Sequence, residues 1–153
     1  MDDRHDGIPW RGAAAGLVAG VAFLAAMALD MRATGEPTND LRMLAGLAPR
    51  GDRHWRWLGT AIHFANSAAV GVAFLQVRGR LPGPGWLRGL LFIQGENLAL
   101  WPLVAAIDRV HPAIRAGRLP RFNRPLPFAQ EVLRHAAFGL VLGAVADRLA
   151  GRA

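Results

Sequence analysis

Apolar residues along this chain fall into four long blocks, separated by polar stretches rich in arginine and proline. The first block, residues 12–31, opens with the charge-free run GAAAGLVAGVAFLAAMAL. The second, residues 57–77, reads WLGTAIHFANSAAVGVAFLQV and carries no formal charge. The third and fourth cover residues 86–107 and 127–147. Each approaches the roughly 20 residues that a helix rising about 1.5 Å per residue needs to cross about 30 Å of hydrocarbon. Trp10, Trp55, Trp57 and Trp86 lie at or near block starts, the usual depth for an amphipathic ring at a membrane interface, and only Trp101 sits inside a block. The pattern predicts an all-α fold: a four-helix transmembrane bundle running up-down-up-down, as one integral membrane domain over residues 1–153.

Two other readings compete with this one. Ala26 and Ala28 offer a small-x-small cleavage site, but the leader MDDRHD is more acidic than basic and the apolar run is long for a signal peptide. The first block therefore reads as an uncleaved span. A soluble helical bundle is the other reading, and four separate runs with tryptophan edges argue against it.

Between blocks one and two, residues 39–48 read as a short helix lying on the membrane, with Leu41, Leu44 and Ala48 on one face and Pro37 and Pro49 at its ends. The connector DRVHPAIRAGRLPRFNRPLP reads as irregular, and RGRLPGPG as a tight turn between antiparallel helices.

Composition sharpens this picture. Hydrophobic residues make up 52% and charged ones 19%, below the quarter usual in soluble domains. Without cysteine there are no disulfides, iron–sulfur clusters, thiolate metal sites or thiol catalysis. All 18 basic residues are arginine, and the formal charge is +7. Such a charge could attract nucleic acid, but the arginines sit in the gaps between apolar blocks, where they would face lipid headgroups. The expected partners are thus membrane lipids, with a larger membrane complex or a homo-oligomer also open, and no nucleic acid. The two long loops together hold ten arginines, which points to cytoplasmic long loops and external termini. Arg115, Arg118, Arg121 and Arg124 are the expected headgroup contacts, and a phosphate-bearing ligand on that loop is the sharper alternative.

Small residues mark the helix contacts. Gly12, Gly16 and Gly20 recur every fourth residue in the first block. Gly59, His63, Ser67 and Gly71 do so in the second, and Glu131, His135, Gly139 and Gly143 in the fourth. Small side chains let helix backbones approach closely inside lipid, so these stripes read as packing faces. The likeness of HFANSAAVGVAF to HAAFGLVLGAVA raises the idea of a duplicated two-helix unit.

The third block contains LLFIQGENLALWPL, with Gln94, Glu96 and Asn97 in otherwise apolar sequence. Counting from the long-loop side, His63 lies about 9 Å deep, His135 about 12 Å and Glu96 about 18 Å. Asp30, Asn66, Asn97, Glu131 and Arg134 fall in the same half of the bilayer. Buried ionisable groups of this kind face a bundle interior or a wet cavity. The leading reading of Asp30, His63, Asn66, Glu96, Asn97, Glu131, Arg134 and His135 is an interhelical polar network, with Asn66, His63 or His135 as partners of Glu96. A pair of histidines followed by small residues also resembles a bis-histidine haem b site in an electron carrier. A non-haem metal site lacks a spaced ligand motif. A small transporter or lipid-headgroup-binding protein is the remaining alternative. With no HExxH, GxSxG or phosphate loop, no catalytic residue is assigned, and a non-enzymatic structural or accessory subunit is expected rather than an enzyme.

The segments GENLALWPL, HPAIRAGRLP and RHAAFGLVLGAVADRL resemble stretches of small, uncharacterised four-span bacterial membrane proteins. That resemblance implies a four-helix fold and a multi-pass location in the bacterial inner membrane. It brings no cofactor and no catalytic residue with it.

Overall fold

A computed structural model describes residues 8–150; the leader and residues 151–153 lie outside the described residues. Six helices follow in order: α1 (Ile8–Thr34), α2 (Asp40–Gly46), α3 (Trp55–Val77), α4 (Gly85–Val110), α5 (Pro112–Arg115) and α6 (Pro125–Ala150). Each of the four long helices contains one apolar block and extends it by a few residues at its ends. The short ones start on local signals. The Asn39 side chain accepts a hydrogen bond from the Arg42 amide and opens α2. His111 does the same for Ala113, with Pro112 in the first turn of α5.

The helices Pro9–Thr34, Gly51–Arg80 (which includes α3) and Gly85–Val110 are long and apolar enough to cross a membrane, which points to a membrane protein. Helix α6 matches them in length, but Gln130, Glu131, Arg134 and His135 fall in its first half and lower its hydropathy. Val21, Leu29, Leu98, Leu103, Leu133 and Leu140 are exposed on the long helices, as a lipid-facing surface requires.

Helix α1 packs against both α3 and α6, and α6 packs against α4. Across the molecule the order is therefore α3, α1, α6, α4. Two seams are made of backbone against backbone. A Cβ on Gly16 would run into the Ser67 carbonyl oxygen, and one on Gly71 into that of Gly12. In the α4–α6 seam, Gly89 stands against the Gly139 carbonyl and Gly143 against that of Gly85. Glycine is required here by the approach distance, because dispersion between touching backbones replaces the hydrophobic effect inside lipid.

Helices α3 and α4 are neighbours in sequence but form no continuous seam among the described residues. Phe74 and Phe92 meet at 5.5 Å between ring centroids. Away from this pair the two helices line opposite walls of a cleft.

Both long loops are more structured than their composition predicts. Helix α2 does not merely lie at the surface: it docks on α3, where Gly59 admits the Leu41 backbone. The connector after α4, expected to be irregular, contains α5 and a small core of Ala113, Leu119 and Phe122. The Asp108 carboxylate accepts hydrogen bonds from the Phe122 and Asn123 amides, each at 2.9 Å. His111 is fully buried, and its Nε2 bonds the Met43 carbonyl at 2.9 Å. Those bonds tie the second loop back to α4 and to α2, which is why it does not wander.

Candidate functional site

Arg134 is the centre of the polar interior, with 0% of its surface exposed. Three turns of chain converge on it. Its Nε and Nη2 donate to the two oxygens of Asp30 at 2.6 Å each, a bidentate pair from the end of α1. Nη2 also donates to the Thr38 hydroxyl at 2.8 Å. Nη1 faces the Thr38 carbonyl at 3.0 Å, Asp40 Oδ2 at 2.8 Å and Glu131 Oε1 at 2.9 Å. Gln130 closes the ring: its amide donates to Asp30 at 2.8 Å, and its oxygen accepts from Thr38 at 2.8 Å. Every guanidinium hydrogen thus has an acceptor, the condition under which a buried charge is tolerable.

Acid groups outnumber base groups in this ring. One guanidinium meets three carboxylates, from Asp30, Asp40 and Glu131. Asp40 is only 4% exposed, and its Oδ1 has no hydrogen-bond partner among the described residues.

Asp40 and Glu131 also line a cavity of about 270 Å³ in the cleft between α3 and α4. Its polar end carries His63, Asn66, Glu96 and His135, with the Phe23 ring between the two histidines; Val70, Ile93 and Phe138, each further along its helix from the long loops, make its apolar end. Asn66 and Leu100 are exposed at opposite walls and mark the mouth. A second cavity of about 220 Å³ shares Met43, Glu96, Leu100, Glu131 and His135 with the first, and reaches Trp101 and Phe122.

Of the eight residues expected to cluster, Asp30, Glu131 and Arg134 come together directly, and His135 Nδ1 lies 3.5 Å from Glu131 Oε2. His63 and Glu96 share the cavity wall with Glu131 and His135. Glu96 forms no side-chain hydrogen bond with another described residue, so the partners expected for it are across the cavity rather than in contact. Asn97 is turned away from that wall: its amide reaches Gln94 at 3.5 Å, and Gln94 donates to the Val132 carbonyl at 2.7 Å, joining α4 to α6. Of the small residues, Gly20 meets both the Ser67 side chain and the His63 ring, and Gly12, Gly16 and Gly71 line the α1–α3 seam.

The residues do not fit a haem. His63 Nε2 is bonded to the Gly20 carbonyl at 3.0 Å. The Phe23 ring sits 5.3 Å from His63 and 5.2 Å from His135, in the slot a porphyrin would need.

Sequence reasoning missed Thr38, Asp40, Gln130 and His111. Gln130 had a signal, since it lies four residues before Arg134 on the same helix face. Asp40 and Thr38 had a weaker one: a fully apolar surrounding for Arg134 demands more acceptors than Asp30 and Glu131 supply.

The loop arginines are divided. Arg118 and Arg42 both pair with Asp52, at 2.6 Å and 2.7 Å, and Arg124 pairs with Glu36. Asp52 precedes the charge-free stretch of α3, and the hydrogen bond from Arg42 holds its carboxyl below the ordinary aspartate value. Arg115 and Arg121, with Arg109, border a surface hollow of about 540 Å³.

The fold and site define a helical protein with membrane-length apolar helices, a buried arginine ring and a cleft open between two of its helices. The chain belongs to a family of unknown function (DUF6789), whose sequence model matches residues 8–153. No curated protein and no solved structure matches it.

Proposed function

We propose that this is a four-span, non-enzymatic membrane protein that binds a lipid-like amphiphile in the cleft between α3 and α4. The observation that carries this reading is the cleft itself: apolar at one end, acidic and hydrogen-bonding at the other, with its mouth on the flank of two membrane-length helices. A cavity of that shape suits a ligand with a polar head and an apolar tail, and few precisely placed polar groups suffice to orient it. Crossing by α6 is supported at both of its ends. Arg134 and Gln130 stand level with Asp30 near the long loops, while Asp147 pairs with Arg78 at 3.4 Å beside the short turn. The inner bacterial membrane is the location this reading takes from the resemblance to small four-span bacterial membrane proteins, and the arginine distribution turns the long loops toward the cytoplasm.

The cysteine-free sequence makes the test direct. Single cysteines replace Gly79, Ala116 and Arg148 and are probed with an impermeant maleimide in sealed membranes. Four spans place 79 and 148 on one side and 116 on the other; labelling of 148 together with 116 rejects the crossing of α6. Native mass spectrometry from gently solubilised membranes then reads the ligand. A retained amphiphile that is lost in Asn66→Trp, with melting unchanged, supports the cleft. Absence of any retained amphiphile from the unsubstituted protein removes it.

A further inference from the structure

Resting on the cleft reading, we infer that the head of the bound amphiphile is a protonated primary amine, seated against Asp40 and Glu131. The argument begins with charge. Three buried carboxyl groups surround one guanidinium, so full ionisation of the ring would leave two negative charges uncompensated. A buried charge persists only when something compensates it. Asp30 is fully engaged by Arg134 and Gln130. The surplus therefore sits on Asp40 and Glu131, the two carboxylates that also border the cavity.

The second observation is the free acceptor. Among the described residues Asp40 Oδ1 is buried without a hydrogen-bond partner, on a residue lining the cavity, whereas Oδ2 is held by Arg134. An orphaned buried acceptor is costly unless a donor arrives. A group that suits this edge brings positive charge and N–H or O–H donors. Among the described residues no three histidine, aspartate or glutamate side chains are placed to hold a metal ion. A primary ammonium supplies one positive charge and three donors, matching the Asp40–Glu131 edge with the Glu96 carboxylate and the His63 and His135 rings nearby. The apolar end at Val70, Ile93 and Phe138 takes the attached chain.

The test uses the full-length protein in a non-ionic maltoside detergent, with tryptophan fluorescence as the readout; the part of the change that Trp101→Phe removes reports the adjoining cavity, which Trp101 lines. The probes are dodecylamine, dodecanol, dodecyltrimethylammonium and propylamine. Dodecylamine is expected to bind at least roughly tenfold tighter than dodecanol, the worth of one charge-assisted hydrogen bond. Dodecyltrimethylammonium, which has the charge but no N–H, is expected to fall between them, and propylamine to bind most weakly. Asp40→Asn keeps an oxygen for Arg134 and is expected to bring dodecylamine down to the alcohol level. Equal affinity for amine and alcohol in the unsubstituted protein overturns the amine while leaving the cleft standing; the surplus is then neutralised by protons shared between carboxyls. Binding by none of the dodecyl probes overturns both. This comparison on the unsubstituted protein holds even where Asp40→Asn does not fold. With the amine preference in hand, retention of phosphatidylethanolamine over phosphatidylcholine from mixed vesicles assigns the head to a lipid, and equal retention assigns it to a free long-chain amine.

Discussion

The Arg134 ring and the Asp52 cluster are built from the same two groups in inverse proportion. At Arg134 one guanidinium serves three carboxyl groups, and the arginine itself is 0% exposed. At Asp52 one carboxylate serves two arginines, and the Arg118 side chain is 46% exposed. Distances are nearly identical, at 2.6–2.9 Å in the first and 2.6–2.7 Å in the second. Burial and the reversed excess of acid over base separate them. In water an ion pair competes with solvation and salt, so an exposed pair contributes about 0–1 kcal/mol. Inside, the partners have no alternative, and removing one strands the others. The first cluster decides whether α1, α2 and α6 stay together; the second trims the geometry of two loops.

The sharpest way to break this contrast is Arg134→Met. It leaves three buried carboxylates without their cation and is expected to cost about 3–5 kcal/mol, read as a large fall in melting temperature in detergent. A fall no larger than that of a surface variant would mean that the ring is hydrated and the contrast is false. Next comes Gly16→Ala. The new Cβ meets the Ser67 backbone, so the α1–α3 seam must open, at a cost of about 1–3 kcal/mol, while Gly95→Ala, which faces open space, is expected to be neutral or slightly stabilising. Differential scanning fluorimetry on the pair of variants separates steric contact from helix propensity.

Glu96 sharpens the comparison from a middle position, since it borders the cavity without a hydrogen bond to a described residue. Both Glu96→Gln and Glu96→Leu are expected to change stability by less than about 0.5 kcal/mol. A selective loss in the leucine variant would place Glu96 in the structural network after all. The smallest effect belongs to Asp52→Asn, at most about 1 kcal/mol and vanishing in molar salt. Its pH dependence has a fixed sign. The folded carboxyl is held below its ordinary value, so its contribution is present above the ordinary aspartate range and is lost as pH falls through the depressed value. Melting curves of the two proteins, compared between neutral and acid pH, should therefore converge on acidification.

Residue order determined the helices because an apolar block of membrane length has one economical conformation: the helix satisfies its own backbone hydrogen bonds. The long-helix blocks 12–31, 57–77, 86–107 and 127–147 are visible for that reason, as are the glycine stripes, whose fourfold spacing is a property of the helix. Asp30, Glu131 and Arg134 are legible as a group because charges inside such blocks must find each other. Tertiary structure alone decided three things. It brought Thr38 and Asp40 out of a polar loop and into the interior, where loop residues are not expected because solvent ordinarily serves them. It set Phe23 between two histidines whose spacing had invited a flat ring. It also separated α3 from α4, although a tight turn joins them, by giving α1 and α6 the central positions. Periodicity specifies which face of a helix is buried, but the choice of neighbour depends on how closely two backbones can approach, and that is settled only when all the glycine seams compete for space at once.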